Sequence, residues 1–224
     1  MLAIMKKIQR NPKFPLVMAG ASYTMLASAS AGCLYWYFTQ IASNDFWHWM
    51  LVSYCIMLAN GITGFTEFFS EDSFCPLRDL LDHLQLVLVL PCYAAQMWVK
   101  TEMGPPEIAV VHAGLGIIAA LMYILVECRR QDLTDLAIFA NAFSLCCISL
   151  LNVNPFVTLA TSVLVSGYLI YKRDDEQCCL APQDKFNLIM ATFAIISLVS
   201  FDDDIVTTVQ DTVHEGLNAI IGGE

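Results

Sequence analysis

The stretch that decides the fold is Ile108–Val126, IAVVHAGLGIIAALMYILV. Its nineteen residues carry no charge, and His112 and Tyr123 are its main polar groups. At the rise of an α-helix it spans about 28 Å, close to the hydrocarbon thickness of a bilayer. The rest of the chain has the same character. Of its 224 residues 57% are hydrophobic and 14% charged, with a mean hydropathy of +0.60. A water-facing domain carries about a quarter charged residues, so this chain lacks the surface to face water all round.

Working outward, six further apolar stretches appear: about Pro15–Gln40, Phe46–Phe69, about Leu84–Val99, Leu136–Leu151, Phe156–Tyr171 and Phe186–Phe201. Lipid offers no partner to a bare peptide group, so such segments fold as helices. The expected fold is all-α, a polytopic transmembrane helical bundle of about seven spans over residues 1–201, with an acidic amphipathic tail over 202–224. The last three segments are short, which leaves room for one of them to re-enter rather than cross. The first has a basic start and an Ala27-Ser28-Ala29 stretch, but its apolar core is longer than that of a cleaved signal, so it is read as an anchored helix.

Basic residues set the orientation, because cytosolic loops hold an excess of Lys and Arg. With the N-terminus in the cytosol, Lys6, Lys7, Arg10, Lys13, Arg78, Arg129, Arg130, Lys172, Arg173 and Lys185 all lie on the inner side, and Lys100 alone lies outside. The C-terminus then falls on the outer or lumenal side. The bilayer is the expected surrounding. A net charge of −10 argues against nucleic acid, whose phosphates need clustered cations.

The nine cysteines form no CxxC and no Cys/His zinc spacing, and no pair falls in an outer loop. Adjacent Cys178 and Cys179 follow Lys172-Arg173 beside the membrane and are plausible S-palmitoylation acceptors. No cofactor, metal site or catalytic set is expected.

Small residues come first among the packing features. Gly20, Thr24, Ser28 and Gly32 form a ridge on the first helix, expected to serve packing within the bundle, as are Gly61 and Gly64 on the second and Gly114 and Gly116 on the fourth. Polar stripes are more informative. On the second helix Ser53, Asn60, Thr63 and Glu67 share a face, and on the fourth His112, Tyr123 and Glu127 do so. The third adds Gln85 and Gln96, with Pro91 interrupting the backbone ladder, and the fifth adds Asn141 and Ser144. Such groups avoid lipid and should converge inside the bundle, where they serve as interhelical hydrogen bonds or line a solute path. The acidic inner rim, with Asp82 beside His83, reads as a solvated face.

In the tail, Ile205, Val206, Val209, Val213, Leu217, Ile220 and Ile221 recur at helical spacing behind Asp202-Asp203-Asp204. The polar face is acidic, which favours packing on the bundle or on a protein partner over binding to anionic lipid.

No family is recognised. G-protein-coupled receptors run in the opposite orientation, the seventh segment has no HxxxH, and no Lys sits at its middle as retinal would need. Three readings follow in order. The first is a non-enzymatic multi-pass protein acting through membrane partners, with the C-terminal helix as the contact. The alternative is a small-solute or ion path between helices two to five, lined by Asn60, Thr63, Glu67, Gln85, Gln96, His112, Tyr123, Glu127 and Asn141. The third is a membrane-embedded metal-dependent hydrolase.

Overall fold

The computed structural model describes residues 14–41, 48–69, 75–126, 130–173, 181–209 and 211–212. Every regular element among them is helical. The order is α1 (Phe14–Trp36, continued by a π-helical turn over Tyr37–Ile41), α2 (Trp49–Phe69), α3 (Cys75–Thr101), α4 (Glu107–Val126), α5 (Gln131–Asn152), α6 (Pro155–Arg173) and α7 (Pro182–Val199), with a short α8 over 203–209. Helices α1 to α6 are long and apolar enough to cross a membrane. The chain is a membrane protein built as a helical bundle.

Several helices outrun the apolar stretches that announce them. Helix α3 begins at Cys75 rather than near Leu84, and its 27 residues include Pro76 in the first turn, where the missing N–H breaks no bond. Its polar opening turns stay helical although they lie outside the apolar core. Helix α7 does the same on a smaller scale. It starts at Pro182 and carries Gln183, Asp184 and Lys185 before the apolar run, so it is not among the six helices with an 18-residue stretch apolar enough to cross.

Successive helices alternate in direction. One end of the bundle, the basic end, carries Arg78, Arg130 and Lys172, and the other carries Lys100. Helix α7 reaches both: Gln183 donates to Asp82 at the basic end, while the Ser200 hydroxyl, just past its last turn, meets the Tyr93 hydroxyl near Lys100. It packs between α1 and α6, and α3 packs against α2, α4 and α5. Helix α4 turns Val110, Val111, Ile118, Leu121, Ile124 and Leu125 outward. Water would penalise that face; lipid does not.

Glycines fix how closely the helices approach. A Cβ on Gly61 would lie 2.6 Å from the backbone nitrogen of Ala27, and one on Gly64 would overlap the Tyr23 ring. Gly116 has a further role. Pro91 has no N–H to offer the Val87 carbonyl four residues back, and that oxygen would lie 2.6 Å from a Cβ on Gly116. The glycine thus brings the backbone of α4 over the carbonyl that proline leaves free. The ridge on α1 departs from expectation. Gly20 is buried, but Thr24, Ser28 and Gly32 face outward, and nothing lies within 4 Å of where a Gly32 Cβ would be. Gly114 likewise faces open space. Helix α1 packs instead through Tyr23, Leu26, Ser30 and Cys33, all buried.

Lys100 ties the far end together. Its ammonium donates to the carbonyls of Ser200 (3.4 Å) and Phe201 (3.0 Å) and pairs with Asp203 at 2.7 Å. A cation placed on the last carbonyls of a helix satisfies groups that have no partner within it. Asn154 donates to the same Ser200 carbonyl at 3.1 Å. In α8, Val206 is buried and Ile205 exposed; the tail residues from 213 onward lie outside the described residues.

Candidate functional site

Two of the polar clusters in the interior hold most residues of the expected path, one toward each end; Tyr54 with Ser197, Tyr93 with Ser200 and the unpaired Ser30 hydroxyl lie apart from them. The cluster nearer Lys100 joins α3, α4 and α5. Asn141 donates through Nδ2 to the Ala137 carbonyl of its own helix at 2.6 Å, which turns its Oδ1 toward His112 Nδ1, 2.8 Å away. A carbonyl oxygen only accepts, so Nδ1 carries the proton and Nε2 is bare. The Ser144 hydroxyl donates to that Nε2 at 3.0 Å. Its oxygen accepts from the Trp98 indole at 2.8 Å, and the indole lies nearly parallel to the imidazole, 11° between planes. Each of the four side chains thus has a partner within the network.

The cluster at the basic end joins α1, α2, α3 and α7. Its centre is Asp82. Asn60 Nδ2 donates to Asp82 Oδ1 at 2.9 Å, and Gln183 Nε2 donates to the same oxygen at 2.7 Å. The second amide proton of Asn60 goes to Gln85 Oε1. Arg78 pairs with Glu67 at 2.9 Å, approaches Asp82 at 3.9 Å and lies over the Tyr23 ring. On α7, Gln183 makes a long bond of 3.3 Å to Asn187 Oδ1, and Ser22 donates to Asp184 at 3.1 Å.

Unlike the first cluster, this one does not close. Asn60 Oδ1, Gln85 Nε2, Asn187 Nδ2 and the Tyr23 hydroxyl are buried with no hydrogen-bond partner among the described residues. Tyr23 sits close enough to Asn187 and Arg78 to interact with them, but without a well-formed bond. Turning the Asn60 amide over does not cure this, because its oxygen would then face the Asp82 carboxylate, which accepts only.

Asp82 also lines a cleft of about 170 Å³ at the basic end, with His83, Gln131, Thr134, Tyr168 and Lys172 around it. The His83 ring is buried and packs on Tyr123, with 4.3 Å between ring centres. Tyr168 and Lys172 both bind Asp135, the lysine at 2.8 Å. One face of Asp82 therefore belongs to the cleft and the other to the buried amides. Between the two clusters the interior is filled by Met57, Val89, Leu90 and Tyr93, all fully buried.

The residues of the expected path thus separate. Asn60, Glu67 and Gln85 meet at the basic end, whereas His112 and Asn141 belong to the closed network. Gln96 accepts from the Met50 backbone N–H at 3.4 Å, and Thr63 is partly exposed. Tyr123 stands behind the cleft against His83. Glu127, Cys178 and Cys179 lie outside the described residues. The stripes did not announce Tyr23, Gln183, Asp184 and Asn187. Gln183 and Asp184 lie in the opening turn of a helix that apolarity alone starts at Phe186, Asn187 stands just inside that apolar run, and Tyr23 has no polar neighbour three or four residues away.

Among the described residues no group of three or more His, Cys, Asp and Glu is placed to hold a metal ion. Comparison with protein-family models, with curated proteins and with solved structures finds no match to this chain.

Proposed function

We propose that the chain is a seven-spanning membrane protein, with the residues before α1 on the cytosolic side, that takes up a small polar solute from that side and serves as a carrier or channel. The observation that carries this reading is the cleft at the basic end lined by Asp82, which also accepts from the buried Asn60 amide, beside side chains with unused bonding capacity. Interior polarity in a membrane protein is expensive, and its usual use is a pathway or a binding site. The seven-span part is supported by α7, which extends from Asp82 to the Lys100 end. Its 18 residues rise about 27 Å, enough for the hydrocarbon core. The orientation is supported by Arg78, Arg130 and Lys172 at one end against Lys100 at the other. The accessory reading through the tail rests on residues mostly outside the described ones, and no observation favours it over the cleft.

The test is uptake by proteoliposomes over a panel of small polar solutes, with Asn60→Leu as the comparison. Uptake above protein-free vesicles, lost in the variant while the fold is kept, is the expected outcome; a silent panel with folded protein removes the carrier reading. Impermeant labelling that found positions 173 and 203 on the same side of the membrane would remove the seven-span part.

A further inference from the structure

The unpaired atoms of the basic-end cluster specify the kind of molecule that fits there. Gln85 Nε2 and Asn187 Nδ2 are donors, Asn60 Oδ1 is an acceptor, and the Tyr23 hydroxyl serves as either. All four side chains are at most 2% exposed. The charged groups of the cluster, by contrast, already have protein partners. Asp82 receives Asn60 and Gln183, Glu67 receives Arg78, and Asp184 receives Ser22 in the first turn of α7, where the helix dipole favours an anion. No carboxylate oxygen is among the unpaired atoms. What the site lacks is therefore not a counter-charge.

We propose that this cluster is a binding site for an uncharged ligand that both donates and accepts hydrogen bonds, occupied by water at rest and by a small amide or polyol solute in use. A water molecule accepts two bonds and donates two, which matches two amide donors and two oxygen acceptors, and buried waters characteristically bind polar groups left unsatisfied by protein. A urea or glycerol molecule offers the same mixture of groups. Entry is from the cleft, past Asp82, which lines it and accepts from the Asn60 amide. The solute part of this inference rests on the carrier reading; the occupied site does not.

Two measurements separate them. The first is a structure of the full chain in nanodiscs at a resolution that shows ordered water. The expected result is non-protein density within bonding distance of Asn60 Oδ1 and Gln85 Nε2. Amides rearranged onto protein partners, with nothing between them, would overturn the site. The second is the swelling of proteoliposomes in urea or glycerol gradients, set beside sodium and chloride flux. Swelling without ion flux is expected, about tenfold slower in Gln85→Leu, the equivalent of one lost buried bond. Ion flux without swelling would overturn the ligand class while leaving a carrier. Density without any flux would uphold the site and sink the carrier reading alone.

Discussion

The two interior clusters use the same kinds of side chain to opposite ends. Toward Lys100, Trp98, Ser144, His112 and Asn141 form a chain in which each side chain has a partner and the last bond returns to a backbone carbonyl. At the basic end, Asn60, Gln85, Asn187 and Tyr23 are more deeply buried than Trp98, Ser144 and His112, yet keep capacity unspent. A closed network holds three helices at a fixed distance and angle. An open one leaves a demand that only a further molecule meets. Polarity inside a membrane bundle is therefore not in itself a sign of a path; the accounting of bonds within each cluster separates the structural polar groups from the receptive ones.

The strongest way to break this contrast is His112→Leu. The imidazole is the hub, and its loss strands Asn141 Oδ1 and the Ser144 hydroxyl in the interior. Bonds between helices in membranes are individually modest, but stranding the buried Asn141 oxygen and the half-buried Ser144 hydroxyl at once is expected to cost about 2 kcal/mol. Thermal unfolding in detergent should show a clear drop, whereas solute uptake per folded molecule should be unchanged. A variant as stable as the parent would mean that the network is not the clamp described.

Next in size is Gly64→Ala, which disturbs the open cluster without touching a polar atom. The added methyl would overlap the ring of Tyr23, and overpacking of this sort costs about 1–3 kcal/mol. The expected loss of stability stays below that of His112→Leu, since the atoms that must give belong to a side chain and not to the backbone. Its hydroxyl then leaves the cluster, so uptake should fall more than stability does. Equal uptake in the two proteins would show that Tyr23 takes no part.

Much of this architecture was legible before any coordinates. Ile108–Val126 and its six companions located the helices, because in lipid only length and apolarity are needed to predict one. Asn60 and Gln85 were legible as a pair of inward stripes. Their separation from His112 was not read, although depth follows from helix direction: His112 lies five residues into α4 from the Lys100 end, and Asn60 lies seven residues before Glu67 at the other. Spacing along a helix reports the face, and the depth has to be counted separately. What no periodicity carries is the meeting of α1 with α7. Ser22 and Asp184 are 162 residues apart, and the polar first turn of α7 looks like a loop when apolarity is the only guide. The outward turn of Thr24, Ser28 and Gly32 was hidden for a related reason. A ridge of small residues permits close packing, and only the partner decides which ridge is used.

The smallest expected effect is the sharpest test of the comparison. In a closed network every deletion strands a partner; in an open one some deletions strand almost nothing. Asn187→Leu is such a case. Among the described residues its Nδ2 makes no well-formed bond, with Tyr23 the nearest candidate, and its Oδ1 takes the long 3.3 Å bond from Gln183, which keeps its 2.7 Å bond to Asp82. Leucine keeps the branched shape of asparagine and removes the unmet donor, so stability should stay within about 0.5 kcal/mol of the parent. A buried polar group that contributes nothing to stability has to be explained by what it binds. Uptake of urea or glycerol should accordingly fall in this variant while its unfolding temperature does not move. A large loss of stability would place Asn187 in a closed network after all, and the two ends of the bundle would then differ in position but not in kind.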